Sequence, residues 1–208
     1  MTLDDEDRAY LLQRGYTPEL VELDKWFSFP VGHYKMPGLR FEVTEPQLAT
    51  LCRYHTGTVT AVQLVNRHRK AYRKFPTLYA NYLPILYMNY QDYERLAETR
   101  RIILTEGLFD RAAIIRCKPP AACGCILGLS VSDKLVRFLQ HFSDRVFLAF
   151  DSDAPGKEGI QYVAKVLTEA GVVSFSLSGW CKDPAQWYEK AGEKKMAADL
   201  RDQIEGRL

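Results

Sequence analysis

From Arg101 to Ser178 short apolar runs alternate with stretches of helical spacing, and no other feature of the 208 residues constrains the fold as tightly. RIILT, AACGCILG, RVFLAF and VVSFSLS read as buried strands, and LFDRAAIIR, SVSDKLVRFLQHF and GKEGIQYVAKVLTEAG read as the helices between them. Parallel strands need a long crossover, which a helix supplies, so the alternation predicts an α/β layer on a largely parallel sheet of about four strands. Gly107 closes the first strand, Ser130 or Ser132 is the N-cap candidate of the second helix, and Gly171 ends the third. WCKDPAQWYEKAG follows, then a polar terminal helix near 193–206.

The first hundred residues read differently. Gly15 ends a short helix, and Thr17 with Pro18 opens the next as N-cap and first helical residue. LRFEV and TVTAVQLV predict strands, with irregular chain around Gly32, Pro37 and Gly38. NRHRKAYRKF then concentrates Arg67, Arg69, Lys70, Arg73 and Lys74 in eight positions. Tyr72, Phe75, Tyr79 and Tyr82 are threaded through and beyond it at helix-compatible spacing, but Pro76 and Pro84 argue against one continuous helix. A helix is expected over Gln91 to Thr99. The net charge of +2 divides as −5 over residues 1–24, +7 over 25–101 and 0 beyond, so a polyanion would be drawn to the middle third.

Several classes are excluded by composition. No run approaches the roughly 20 apolar residues of a membrane span, and the acidic start MTLDDEDRAYLL is not a signal peptide. Aromatics at 12% exclude a chain that is disordered throughout. Five cysteines without a C-x-x-C pair predict reduced thiols in a cytoplasmic compartment. Cys117, Cys123 and Cys125 lack a fourth ligand at zinc spacing and read as small buried residues.

Carboxylates stand where the apolar strands end: Glu106 and Asp110 after IILT, Asp151 and Asp153 after VFLAF, and Asp183 a short loop beyond VVSFSLS. In open α/β sheets ligands gather beyond the carboxyl ends of the strands, so these acids are expected to converge, with Asp151 and Asp153 on the same side of an extended strand end. Clustered carboxylates repel unless a cation compensates them, and an oxygen-only donor set suits Mg²⁺ or Mn²⁺. Each acid also precedes a helix, so capping is the plainer explanation of any one of them. Gly156-Lys157 lacks P-loop spacing, and no G-x-G-x-x-G follows the first strand.

TEGLFD and FDSDAPGKEG together resemble a Toprim domain, the fold shared by bacterial DnaG-type primases, type IA and type II topoisomerases and some repair nucleases. Glu106, Gly107 and Asp110 match its first motif, Asp151 and Asp153 its D-x-D. WCKDPAQW resembles the primase Gly-Lys-Asp-Pro loop through Lys182, Asp183 and Pro184, with Ala185 where a second Asp usually stands. YLLQRGYTPELVELDKW and YRKFPTLYANYLPILYM are similar to the helical opening and the template-contacting segment of primase cores, the basic contact mapping onto Lys74 with Arg73 beside it.

The resemblance implies a primase-like N-terminal mixed α+β subdomain over 1–98, a Toprim metal-binding domain over 99–190 and a C-terminal helix over 191–208. It implies RNA primer synthesis on single-stranded DNA from ribonucleoside triphosphates, with Mg²⁺ or Mn²⁺ as cofactor. Asp110, Asp151, Asp153 and Asp183 would be metal ligands, Glu106 a ligand or general acid/base, and Arg67, Arg69, Lys70, Arg73 and Lys74 template contacts. A zinc ribbon and a helicase-binding domain, usual in replicative primases, are missing from the pattern. That implies a reduced core of phage or mobile-element kind, or a fragment, with a helicase or zinc-ribbon protein acting in trans. A Toprim nuclease and a non-catalytic single-strand-binding module are the alternatives.

Overall fold

Val62 and Leu64 on one side of VTAVQLVN, and Ala61, Gln63 and Val65 on the other, are all buried, so this segment must be a central strand covered on both faces. The computed structural model describes residues 2–36, 38–68, 71–179 and 182–206. Arg69 and Lys70, at the middle of the basic run, lie outside the described residues. The chain divides into two compact units, one up to Asn89 and one from Tyr90.

The first unit runs α1 (Asp5–Gln13), α2 (Pro18–Leu23), β1 (Phe27–Phe29), β2 (Gly32–Met36), β3 (Leu39–Val43), β4 (Gln47–Arg53), β5 (Val59–Asn66), β6 (Ala71–Pro76) and a 3-10 turn, Leu78–Asn81. The antiparallel sheet has the order β1-β4-β5-β6, and β2 with β3 forms a separate hairpin. Phe41 of the hairpin stacks on Phe29 and Phe75 of the sheet, over Val43, Ala49, Val62 and Leu64. Thr17 caps α2, its hydroxyl accepting from the Leu20 N–H at 3.2 Å. The segment whose aromatic spacing is compatible with a helix is the strand β6, because pairing Tyr72 with Val65 and Phe75 with Val62 sets aromatic against β-branched side chains on both faces of the ladder.

The second unit runs α3 (Tyr90–Thr99), β7 (Arg101–Thr105), α4 (Leu108–Arg116), β8 (Ala122–Cys125), α5 (Asp133–Phe142), β9 (Arg145–Ala149), α6 (Ala154–Glu169), β10 (Ser174–Ser176) and α7 (Pro184–Glu205). Its sheet has the order β10-β9-β7-β8 and every pairing is parallel. Ser132, not Ser130, caps α5. The expected division at 98/99 would separate α3 from this unit, but a buried ion pair joins them: Arg111 of α4 binds Asp92 of α3, whose other oxygen accepts the Cys123 N–H of β8. The terminal helix is no appendage either. It is one with the helix beginning at Pro184, broken only at Gly192 (φ 77°), and Met196, Leu200 and Ile204, spaced by four, are fully buried with Ile103 and Phe147.

Cys52, Cys117, Cys123 and Cys125 are buried thiols, as their reading as small apolar residues requires; Cys181 lies outside the described residues. No helix among the described residues is long and apolar enough to cross a membrane.

Candidate active site

After β7 the chain crosses to β8 on one side, and after β9 to β10 on the other. The carboxyl ends of these two central strands are therefore the point where the connections diverge, the place where an open parallel sheet leaves a crevice for ligand. Glu106 follows β7 directly and Asp110 lies in the first turn of α4. Asp151 lies just past β9, Asp153 is the N-cap of α6 and Asp183 the N-cap of α7. Asp151 and Asp153 do not share a face of a strand, because β9 ends at Ala149. A loop carries them instead, and the close turn into α6 sets their direction.

Asp151 lies within electrostatic reach of Glu106, Asp110, Asp153 and Asp183. Burial, then the charges of Asp151 and Asp153, raise the pKa of Glu106. Burial, then Asp183 and Asp153, raise that of Asp151, against a lowering pull from Lys182. Asp110 is pushed up to about 7 by burial and by Asp151, Asp183 and Glu106, although the Ala185 N–H donates to its Oδ1 at 3.2 Å.

Hydrogen bonding sorts the oxygens by availability. Asp153 Oδ1 accepts the Gly156 N–H at 2.9 Å and Asp183 Oδ1 the Gln186 N–H at 2.7 Å, so each caps its helix with one oxygen and keeps the other. Glu106 and Asp151 have no side-chain hydrogen bond among the described residues. Capping thus accounts for two of the five acids and leaves Glu106 and Asp151 without a structural task. Lys182 Nζ, 3.5 Å from Asp183 Oδ2, is a nearby cation.

The donor set is carboxylate oxygen throughout, which fits a hard divalent cation. Among the described residues no three His, Cys, Asp or Glu side chains form a ready cage. Mg²⁺ is commonly held by only one or two carboxylates, with water and substrate phosphate completing its shell, so an open set of this kind suits it.

Backbone contacts hold the loops. The Ser152 N–H donates to Lys182 O at 2.6 Å, joining the D-x-D loop to the loop before α7, and the Gly128 N–H donates to Glu106 O at 3.1 Å. Gly156 permits the first: a Cβ there would collide with the carbonyl oxygen of Asp151. The buried Asp92–Arg111 pair between α3 and α4 is signalled in the sequence only by an Arg inside the apolar run FDRAAII.

The basic segment is divided rather than gathered. Arg67 is bound by Asp7 at 2.8 Å and by Glu6, both of the acidic α1, so its charge is already matched within the chain. Arg73 is exposed and Lys74 half-buried, on opposite faces of β6, as neighbours on a strand must be. Tyr72 hydrogen-bonds with Tyr10 and Arg14 of the α1 segment, and Tyr87 is buried against Thr50. Tyr79 and Tyr82 remain exposed, Tyr82 by 75%.

Residues 103–187 match the family model described as Toprim-like. The chain resembles the Aquifex aeolicus primase (zinc-binding and RNA polymerase domains) at TM-score 0.79 and 16% identity, over 95% of this chain and 55% of that one. It resembles the RNA polymerase domain of Mycobacterium tuberculosis primase DnaG at TM-score 0.77 and 15% identity, over 96% and 77%. A DnaG primase catalytic domain bound to single-stranded DNA matches at TM-score 0.77 and 17% identity, over 94% and 71%. The chain thus has the fold of the primase catalytic core and spans little more than half of the Aquifex chain. No curated protein sequence matches it.

Proposed function

We propose that the protein is a primase-like, metal-dependent nucleotidyltransferase that joins ribonucleotides on a single-stranded DNA template. The observation that carries this reading is the set of four carboxylates beyond the diverging ends of β7 and β9 together with Asp183 at the start of α7, Glu106 and Asp151 having no side-chain hydrogen bond among the described residues, on a primase-core fold. In the reaction a ribonucleotide 3′-hydroxyl attacks the α-phosphate of the next nucleotide, which asks chiefly for positioning and charge neutralisation. Mg²⁺ or Mn²⁺ supplies the neutralisation when bound. Asp151 and Asp153 are its principal ligands, Asp110 and Asp183 the supporting ones, and Glu106 a further ligand or the group that handles the hydroxyl proton.

Arg73 and Lys74, with Arg69 and Lys70 earlier in the run, contact the template backbone; Arg67 serves instead to hold α1. The single-stranded DNA in one structural relative supports a template of that kind. A helicase or zinc-ribbon protein acts with it in trans.

One specific feature favours a second reading, a non-catalytic single-strand-binding module. At position 185 a backbone N–H donates to Asp110 where primases place a second acid. Incubating the chain with single-stranded DNA, labelled ribonucleotides and Mn²⁺ separates the readings. Extension products are expected. Degradation of the DNA would replace the assignment with a Toprim nuclease, and binding without either product would leave the module.

A further inference from the structure

No acid stands at the end of β8, yet the loop that follows it touches both of the segments that carry acids past β7 and β9. The pairing with β7 runs one residue beyond the strand, the Ile126 N–H donating to Thr105 O at 3.0 Å. The chain then turns through Leu127 at φ 55° and Gly128 at φ 125°. A residue with a Cβ is uncommon in the left-handed region, and a strained path of this kind persists only where surrounding contacts hold it. The turn aims the Gly128 N–H at Glu106 O, 3.1 Å away, and the Cys125 thiol donates to the same oxygen at 3.2 Å. The Glu106 carboxylate has no hydrogen bond of its own among the described residues. Its direction is therefore set through the main chain, which these two bonds fix just past β7.

The other end of the turn rests on α6. Gly159 is buried in the second turn of that helix, and a Cβ on it would lie 2.5 Å from Leu129 Cδ2 and 3.1 Å from Leu129 Cγ. Glycine weakens a helix interior relative to alanine, so its presence answers to the approach of Leu129 rather than to helix formation. Gly156, three residues earlier on the same face, admits the Asp151 carbonyl in the same way. Asp153 caps this helix. One face of its first two turns thus receives the D-x-D loop at Gly156 and the β8 loop at Gly159.

We infer that Leu127, Gly128 and Leu129 form a positioning strap, which fixes Glu106 against the start of α6 and so sets the spacing between Glu106 and the Asp151–Asp153 pair. The three are positioning residues, acting through Glu106 and Asp153. A divalent ion holds its ligands at near-fixed distances, and residues that orient ligands from behind commonly change affinity by about tenfold to a hundredfold. The strap rests on the reading of these acids as the metal-binding centre of a nucleotidyltransferase and adds to it the residues that keep them in register.

The test is a titration of the full chain with Mn²⁺, the free ion being measured by its electron paramagnetic resonance, beside a thermal melt of the same preparation in EDTA. In G159A the new Cβ drives Leu129 off α6 while alanine favours the helix. Its Mn²⁺ affinity is expected to fall about tenfold or more, with the melting temperature unchanged or raised. L129A empties the contact from the other side and weakens Mn²⁺ in the same sense. G159A/L129A returns a methyl group to the gap and is expected to recover most of the affinity, which a general loss of packing would not do. A Cβ at Gly128 meets open space, so G128A acts only on the φ of the turn. It is expected to weaken Mn²⁺ about tenfold in the wild-type background and to add nothing in E106Q.

Wild-type Mn²⁺ affinity in G159A or in G128A overturns the strap. So does a G159A/L129A affinity as low as that of the single variants, and this comparison decides the matter even where G159A alone melts early. A further fall on adding G128A to E106Q would show that the turn does not act through Glu106. A wild-type chain that binds Mn²⁺ but extends no primer overturns the primase reading alone, because the strap is judged on the ion. A wild-type chain that binds no Mn²⁺ overturns both.

Discussion

Glu106 is the residue whose chemistry is most exposed to test, because nothing in its surroundings gives it a structural task. Its carboxylate has no hydrogen bond among the described residues, and burial with the charges of Asp151 and Asp153 raises its pKa. E106Q keeps shape and removes charge. Single-turnover primer extension at saturating metal is expected to fall about a hundredfold or more, with the thermal melt within a degree or two of wild type. Full activity with a lowered melting point would make Glu106 structural.

Asp110 gives the pH dependence. Its pKa is about 7 in the fold and 3.8 as an isolated group, so between these values the native state holds a proton that the unfolded chain has released. Unfolding free energy contributed by this group therefore falls as pH rises from about 4 to about 7 and stays low above that. In EDTA the melting temperature is expected to be higher at pH 5 than at pH 8, with D110N flattening the difference. An equal difference in D110N would assign the effect elsewhere.

At the scale of elements, α3, α4 and β8 are held by one buried polar network. Arg111 is fully buried, binds Asp92 and donates from Nε to Cys123 O at 3.0 Å. Removing one partner strands a buried charge, whereas removing both relieves it. R111M is expected to cost about 3–5 kcal/mol in urea unfolding, and D92L/R111M less than R111M alone. A double variant as unstable as the sum of the singles would mean that the two residues act separately. The apolar seam of α7 works in the opposite way, by simple burial. L200A leaves a cavity beside Ile103 and Phe147 and should cost about 2–5 kcal/mol by the same measurement.

For the molecule as a whole, acidic and basic regions have separate tasks. The acids of α1 hold Arg67, while the acids beyond β7 and β9 are left short of positive charge with Lys182 close by. A divalent ion that binds only the folded chain raises its melting temperature by mass action. Mg²⁺ or Mn²⁺ is expected to raise the thermal midpoint of the full chain. D151N/D153N is expected to melt higher than wild type in EDTA, through relief of repulsion, and to lose the metal-induced shift. An undiminished shift in that variant would exclude both residues as ligands.

The order of strands and helices after Arg101 was legible in the sequence because apolar period and cap residues are local: Gly107, Ser132 and Gly171 lie at or beside the element ends they predict. The gathering of acids at strand ends was legible too, since a parallel sheet puts every carboxyl end on one side. Which oxygens the caps consume was decided only by the fold, because Asp153 and Asp183 bind the backbone three residues on while Glu106 does not. The basic run read as one patch, yet a strand turns adjacent side chains apart and α1, some sixty residues away, binds Arg67. The terminal helix read as polar because three large apolar residues among seven charged ones make a narrow stripe, and only the core it covers shows that Met196, Leu200 and Ile204 are inside.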